Sequence, residues 1–289
     1  MQKLIDTIRE AESKKVAVGH FNISNLEGFW AVVNGAKSLN VPVIIGVSEG
    51  ERDFMGVKQV KALVTTLQSE GVPVYLNADH TYSVDRVREV LDAGYNSAII
   101  DGADKSFEEN ARMTRECVEY RNASHPEALI EAELGFIGKS SQLLDEIPEG
   151  AQVGDEMMTK PEEAAQFVRE TSIDLFAPAV GNVHGMVKSG LEPRLNIERI
   201  REIRAAAGVP LVLHGASGNS DEDIRASIDA GISVIHINTE VRLGFKQGLQ
   251  KFFMENPDEI APDKYLKAAR QEMQSVVEKK LRLFNKIDS

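Results

Sequence analysis

The sequence predicts a closed (β/α)8 TIM barrel of parallel strands with an N-terminal helix and a C-terminal helical extension. Three observations carry this. Short apolar runs alternate with helix-periodic stretches along the whole chain, which favours a parallel barrel over separate domains. The 289 residues, 42% of them hydrophobic, are long for an ordinary domain but normal for one α/β barrel with a large core. Five of the six histidines (His20, His80, His184, His214 and His236) stand at or just past the carboxyl ends of the apolar runs, which form the reactive rim of a barrel.

In chain order, MQKLIDTIREAESKK (1–15) reads as a charged amphipathic helix. Eight candidate strands follow: VAVGHFN (16–22), VPVIIGVSE (41–49), VPVYLNADH (72–80), SAIIDG (97–102), ALIEAELG (128–135), LFAPAVGN (175–182), PLVLHG (210–215) and SVIHIN (233–238). Stretches such as VKQVKALVTTLQSE and EDIRASIDAG separate them with helical periodicity, and turns such as Gly71-Val72-Pro73 and Gly208-Val209-Pro210 introduce them. Two segments break the alternation. The stretch 135–158 is too long for a simple βα loop and is expected to act as a lid. The tail from about 262 to 285 is an amphipathic helix suited to packing on the barrel or on a second subunit. The chain is expected to form one domain over 1–289.

A net charge of −12 and the lack of a basic run argue against nucleic acid, although an anionic small substrate can still be held by locally focused donors. The N-terminus lacks the pattern of a secretory signal, and no apolar stretch reaches membrane-spanning length. A cytoplasmic protein with no membrane partner is expected. The single cysteine, Cys117, cannot form an intrachain disulfide and reads as buried filler beside Met113 on one helix face.

Nearly every strand ends in a polar group: Asn22, Ser48-Glu49, Asp79-His80, Asp101, Glu131 and Glu133, Asn182 with His184, His214, and Asn238. A single histidine in such a place usually has a structural role. Histidines on different strands with carboxylates nearby fit a catalytic zinc site, where three protein ligands leave a position open for substrate. HGASG (214–218) reads either as an ordinary βα turn with a serine cap or as a nest of backbone N–H groups for phosphate. GFIGKSS resembles the end of a P-loop, but Glu133 stands where that pattern needs glycine. Glu131 and Glu133 are expected on opposite faces of their strand, with only one of them at the metal.

The set Asp79-His80, EAELG (131–135), GNVHG (181–185), HGASG (214–218), VSEG after the second strand and AVGHFNISN near the start resembles class II fructose-bisphosphate and tagatose-bisphosphate aldolases over almost the whole chain. The resemblance implies a zinc-dependent barrel enzyme that splits a ketose bisphosphate into dihydroxyacetone phosphate and an aldehyde, acting as a homodimer or homotetramer on a phosphorylated sugar. It implies His80, His184 and His214 as zinc ligands and Asp79 as the acid/base at the C4 hydroxyl. Asp101 and Glu133 match positions of an alternative or second cation site. Gly185, Lys188, Gly215 and Ser217 are implied as the phosphate cradle, with Asn238 and Thr239 contributing after the last strand and Asn22 and Ser48 lining the site.

Four departures from the family pattern bear on the substrate. Gly138-Lys139-Ser140-Ser141 replaces a glycine pair followed by acids, so the base at C1 of dihydroxyacetone phosphate falls to Asp145, Glu146 or Glu149 in the long loop. Pro262-Asp263 stands where a Pro-Arg pair reaches the far phosphate of a neighbouring subunit's substrate. His20 and His236 replace amides on the first and last strands, and are expected to meet at the barrel seam, line the pocket and respond to pH near neutrality. These changes point to an aldehyde half other than glyceraldehyde 3-phosphate. The competing readings are a related aldolase on another phosphorylated ketose or sugar-acid derivative, a barrel metalloenzyme of different lyase chemistry, and a binding role that would not need the convergent histidine motifs.

Overall fold

The computed structural model describes residues 2–138, 141–147, 154–190 and 192–288. Its strands are β1 (Val18–Asn22), β2 (Val43–Val47), β3 (Val74–Thr81), β4 (Ser97–Ile100), β5 (Leu129–Leu134), β6 (Leu143–Leu144), β7 (Leu175–Pro178), β8 (Met186–Val187), β9 (Leu211–Leu213) and β10 (Ile232–Ile237). Eight of them close a parallel barrel in the order β1-β10-β9-β7-β5-β4-β3-β2, while β6 and β8 pair separately. These eight are the strands expected from sequence, most of them trimmed at their ends, while β3 runs one residue further to Thr81 and β10 starts one residue earlier at Ile232. The second strand is shorter because Ser48 already caps the helix Glu49–Met55 through Glu51, and a capping residue leaves strand geometry.

Side chains alternate in and out along each strand, and the core divides accordingly. Outward residues such as Phe21, Ile45, Leu76, Ile130, Phe176 and Ile235 pack with the surrounding helices in one large apolar cluster. Inward residues Val18, Ile44, Tyr75, Leu129, Leu175, Val212 and Val234 form a second cluster with Leu4, Ile8 and Ala11. Those last three lie on the N-terminal helix Leu4–Ser13, at the spacing that puts them on one face. The helix therefore plugs the floor of the barrel, where the Tyr75 hydroxyl hydrogen-bonds Thr7 Oγ1 at 2.6 Å.

Above this apolar floor the inward residues become polar: His20, Asn77, Glu131, His214 and His236 are all buried. Burying so many polar groups is costly unless they bond one another, so the upper barrel is built for chemistry rather than stability.

The C-terminal helix Pro262–Phe284 packs on its own barrel. Val277 lies against Gly35, Leu281 against Gly19 and Ala269 against Gly248, and Ala17 N–H donates to the Phe284 carbonyl. Cys117 is buried, and burial pushes its thiol up to about 12, which suits filler rather than a nucleophile. Among the described residues no helix is long and apolar enough to cross a membrane.

Candidate active site

Asp79 and His80 are consecutive, yet both face the mouth of the barrel. An undistorted strand would send them to opposite faces. Asn77 and Ala78 register with Ser97 and Ala98 on β4, but the next match is Thr81 with Ile100. β3 thus carries one extra residue, a β-bulge. His80 takes φ +30° there, left-handed backbone that costs a non-glycine residue energy. Arg52 holds this bend from behind: fully buried, it donates to the carbonyls of Val47 and Asp79 and to the Thr81 hydroxyl.

His80, Glu133, His184 and His214 each offer a ligand atom, all within 4.8 Å of one another. Carboxylates grip two of the rings. Asp101 Oδ2 lies 2.8 Å from His80 Nδ1, while His214 bonds Glu131 through Nε2 at 2.7 Å and Glu133 through Nδ1 at 2.8 Å. The opposite-face expectation for Glu131 and Glu133 is therefore corrected: residues two apart on a strand share a face, and both point inward. Asp101 lies outside the four-residue cluster, behind His80.

Electrostatics separate the three histidines. Burial alone would lower His80, but the Asp79 charge and the Asp101 bond raise it to about 9. His214 is likewise held well above its ordinary value, its two glutamates overcoming burial. Burial and the neighbouring His80 and His214 charges push His184 well below it, and His184 Nε2 is buried without a hydrogen-bond partner. An orphaned, unprotonated imidazole nitrogen beside two further histidines and a carboxylate is donor chemistry that fits a divalent cation, with Asp101 and Glu131 orienting ligand rings as outer carboxylates do.

Asp79 meets this cluster from the side. Its Oδ1 is 3.8 Å from His80 Nε2 and 3.5 Å from His236 Nδ1, and its Oδ2 accepts from Asn22 Nδ2 at 2.8 Å. Burial opposes its charge, but the His80 charge and the nearby His236 ring outweigh burial and hold Asp79 well below the usual carboxylate range.

His20 and His236 do meet at the seam, paired across β1 and β10 with rings stacked 3.5 Å apart and 2° from parallel. Only His236 lines the pocket; His20 is fully buried and bonds Asn77 Oδ1 at 3.1 Å. The surroundings within the fold disfavour a proton on either ring, whereas the response expected near neutral pH presupposes a substrate phosphate beside the pair. Burial lowers His20, and burial with its histidine neighbours pushes His236 well below its ordinary value, because a stacked, enclosed pair cannot solvate an added proton.

The small cavity over Asp79, His80 and His184 is also lined by Asn22, Ser141, Gly185, Gly215, Ser217, Asn238 and Thr239. Gly215 takes φ +59°, and a Cβ there would lie 2.3 Å from the Val183 carbonyl oxygen. Glycine is what lets the GNVHG and HGASG loops touch. Thr239 opens the helix Thr239–Glu255, whose N-terminal N–H groups favour an anion.

Lys188 does not join this lining. Its Nζ lies 2.7 Å from Asp145 Oδ1, and both side chains are mostly exposed, because pairing of β6 with β8 sets the two residues side by side. Glu146 is exposed, and Glu149 lies outside the described residues. The long loop reaches the cavity through Ser141, which accepts from Asn238 Nδ2 at 3.2 Å.

A chamber of about 230 Å³ continues outward from Asp79 and His80, walled by Ser48, Glu49, Tyr82, Asp101 and Arg242. A larger hollow of about 550 Å³ lies at the floor, around Thr7, Glu10, Lys14 and Tyr75. It lies at the opposite end of the barrel from the histidine cluster, and none of the cluster's residues lines it. Sequence reading named Glu131 but turned it away from the site, which period-two counting would have avoided. It missed Glu51, Arg52 and Arg242, which look like ordinary helix-surface charges and gave no signal.

Comparison with known proteins accords with this geometry. The family model described as fructose-bisphosphate aldolase class-II matches residues 2–289. The fructose-bisphosphate aldolase of Geobacillus stearothermophilus is 37% identical over 284 residues, covering 96% of this chain and 95% of that protein. That of Staphylococcus aureus (strain COL) is 35% identical over 280 residues, covering 95% and 94%. Among solved structures, the YdjI aldolase from Escherichia coli K12 superposes with a TM-score of 0.80 at 30% identity, covering 98% of this chain and 97% of that one. With its barrel, its histidine cluster and this match from end to end, the chain belongs to the class II fructose-bisphosphate aldolase family.

Proposed function

We propose that the protein is a metal-dependent aldolase that reversibly cleaves a phosphorylated ketose into dihydroxyacetone phosphate and an aldehyde. The observation that carries this is the gathering of His80, His184, His214 and Glu133 around one point with the carboxylate of Asp79 beside them. The relatives' names give a fructose bisphosphate as what they act on.

In this reading His80, His184 and His214 hold zinc, since three imidazoles are a donor set that zinc accepts with a position left open. When bound, the ion supplies Lewis-acid polarisation of the substrate carbonyl. Cleavage breaks the C3–C4 bond; its electron pair passes toward the C2 carbonyl oxygen, and the proton of the C4 hydroxyl leaves as C4 becomes an aldehyde. Asp79 takes that proton, being ionised and buried at the rim. Asn22 orients Asp79 through its amide. The phosphate of the three-carbon half is held by backbone N–H groups around Gly215 and Ser217, with Gly185, Asn238 and Thr239 shaping that end. Lys188 belongs to this cradle only if it exchanges Asp145 for phosphate. Protonation of the three-carbon fragment falls to a carboxylate of the long loop, Asp145, Glu146 or Glu149, which exchange of the C1 proton of dihydroxyacetone phosphate in single alanine variants would test. Glu133 and Asp101 are the groups that would steady a second cation.

The deciding experiment is a coupled cleavage assay on fructose 1,6-bisphosphate, tagatose 1,6-bisphosphate and fructose 1-phosphate, with and without chelator. Cleavage of at least one ketose that stops on metal removal is expected, and cleavage that survives it would refute the reading. A homodimer or homotetramer is part of the proposal. Exposed apolar side chains at Phe253, Met254 and Ile260, near the end of the helix Thr239–Glu255, are available for such an association, and light scattering measures it.

A further inference from the structure

Glu51 lies in the helix Glu49–Met55 and is only 6% exposed, an unusual place for a carboxylate. Five donors from separate parts of the chain converge on it. Asn22 Nδ2 donates to Oε2 at 2.9 Å, as do the Ser48 N–H at 2.8 Å and the Ser48 hydroxyl at 2.9 Å. Ser24 Oγ donates to Oε1 at 3.2 Å, and Arg242 Nη2 at 2.6 Å. A guanidinium, an amide, two hydroxyls and a backbone N–H around one point are what a phosphoryl group requires. Here the chain fills the set with its own anion.

The location gives this meaning. Ser48 and Arg242 are walls of the chamber that leads outward from Asp79, on the side of the reacting carbon where the aldehyde half lies if Asp79 serves the C4 hydroxyl. The same walls include Glu49 and Asp101, so the guanidinium of Arg242, already bonded to Glu51, faces an acidic surround. A second anion brought there would meet carboxylates and compete for donors already in use.

Resting on the aldolase reading above, we propose that Glu51 determines specificity: by occupying these donors it selects an aldehyde half without charge, so the ketose substrate is a monophosphate phosphorylated only on its dihydroxyacetone end. The uncharged aldehyde offers hydroxyl groups, which hydrogen-bond carboxylates such as Glu49 without repulsion.

The test is condensation of dihydroxyacetone phosphate by the zinc-loaded enzyme with D-glyceraldehyde or with D-glyceraldehyde 3-phosphate, comparing kcat/KM for the two. The unmodified enzyme should prefer D-glyceraldehyde by roughly tenfold or more, the scale on which an unmatched charge is rejected. Glu51→Gln keeps the size of the side chain and removes its charge, and Glu51→Ala frees all the donors. Both should move the ratio toward the phosphorylated aldehyde by roughly tenfold, and inorganic phosphate should inhibit them more strongly than the unmodified enzyme. If a variant does not fold, the preference of the unmodified enzyme still decides. A preference for D-glyceraldehyde 3-phosphate in the unmodified enzyme, or an unchanged ratio in folded variants, would overturn the role of Glu51 and leave the aldolase reading intact. No condensation with either aldehyde would overturn the aldolase reading and this inference with it.

Discussion

Asp79 is ionised because positive neighbours outweigh the cost of its burial, and it touches His80, His236 and Asn22 at once. Asp79→Ala should retain stoichiometric zinc while turnover falls about 10²- to 10⁴-fold, the usual worth of a positioned acid/base. If metal content falls in proportion to activity, Asp79 only orients His80. Gly46 on β2 is a second decisive residue, because a Cβ there would lie 2.0 Å from Cε1 of His20. Gly46→Ala should lower stability by about 1–3 kcal/mol through overpacking, measured by urea denaturation. Since the clash is with one ring, His20→Ala in the same chain should recover part of that loss, and strictly additive effects would rule the contact out. Sequence could place histidine on β1 but could not show that a glycine on the neighbouring strand makes room for it.

At the scale of elements, the bulge in β3 matters most. It lets Asp79 and His80, the acid/base and the zinc ligand of the proposal above, share one pocket although they are adjacent in sequence. The bend leaves main-chain carbonyls that the β-ladder does not satisfy, and the buried Arg52 supplies their donors. Arg52→Met keeps the bulk and removes those donors, so it should cost about 2–4 kcal/mol. It should also lower kcat more than it raises KM, because Asp79 and His80 lose their fixed orientation. An unchanged unfolding midpoint would show that the bend holds itself. The motif Asp79-His80 was legible in the sequence, whereas its distortion was not: a bulge is a mismatch between two strands, and neither strand alone contains it. The long loop shows the same limit. Its acids were expected at the substrate, yet the pairing of β6 with β8 sets Asp145 against Lys188, and Ser141 makes the approach.

For the whole molecule, the polar upper barrel couples stability to pH and metal. His80 rises from 6.5 to about 9 in the metal-free fold, so its contribution is fully present below pH 6.5 and lost as pH rises through about 9. The shift corresponds to on the order of 3 kcal/mol. Chelator-treated protein should therefore lose urea resistance between pH 6 and pH 9.5. Zinc competes with the same protons, so its affinity should rise over that interval and the zinc-loaded protein should show a flatter profile. A metal-free protein as stable at pH 9.5 as at pH 6 would remove His80 from this account.

What the sequence determined by itself was set by local periodicity and by motif. Alternating apolar runs and helical stretches fixed eight strands and their order around the barrel, since parallel strands joined by helices close in few ways. The placement of Asp79-His80, His184 and His214 at strand ends identified the rim, where the structure brings these residues together. Tertiary structure alone decided which side chains meet. Glu131 and Glu133 clasp His214 from below and beside it, His20 stacks on His236 but stays out of the pocket, and Arg52 is drawn fully inside. Glu51 gathers donors from β1, the end of β2 and the helix after β10. The physical reason is range: strand and helix formation depend on neighbours a few residues apart, whereas burial, charge pairing and the filling of a donor set depend on residues such as Glu51 and Arg242, brought together only when the barrel closes.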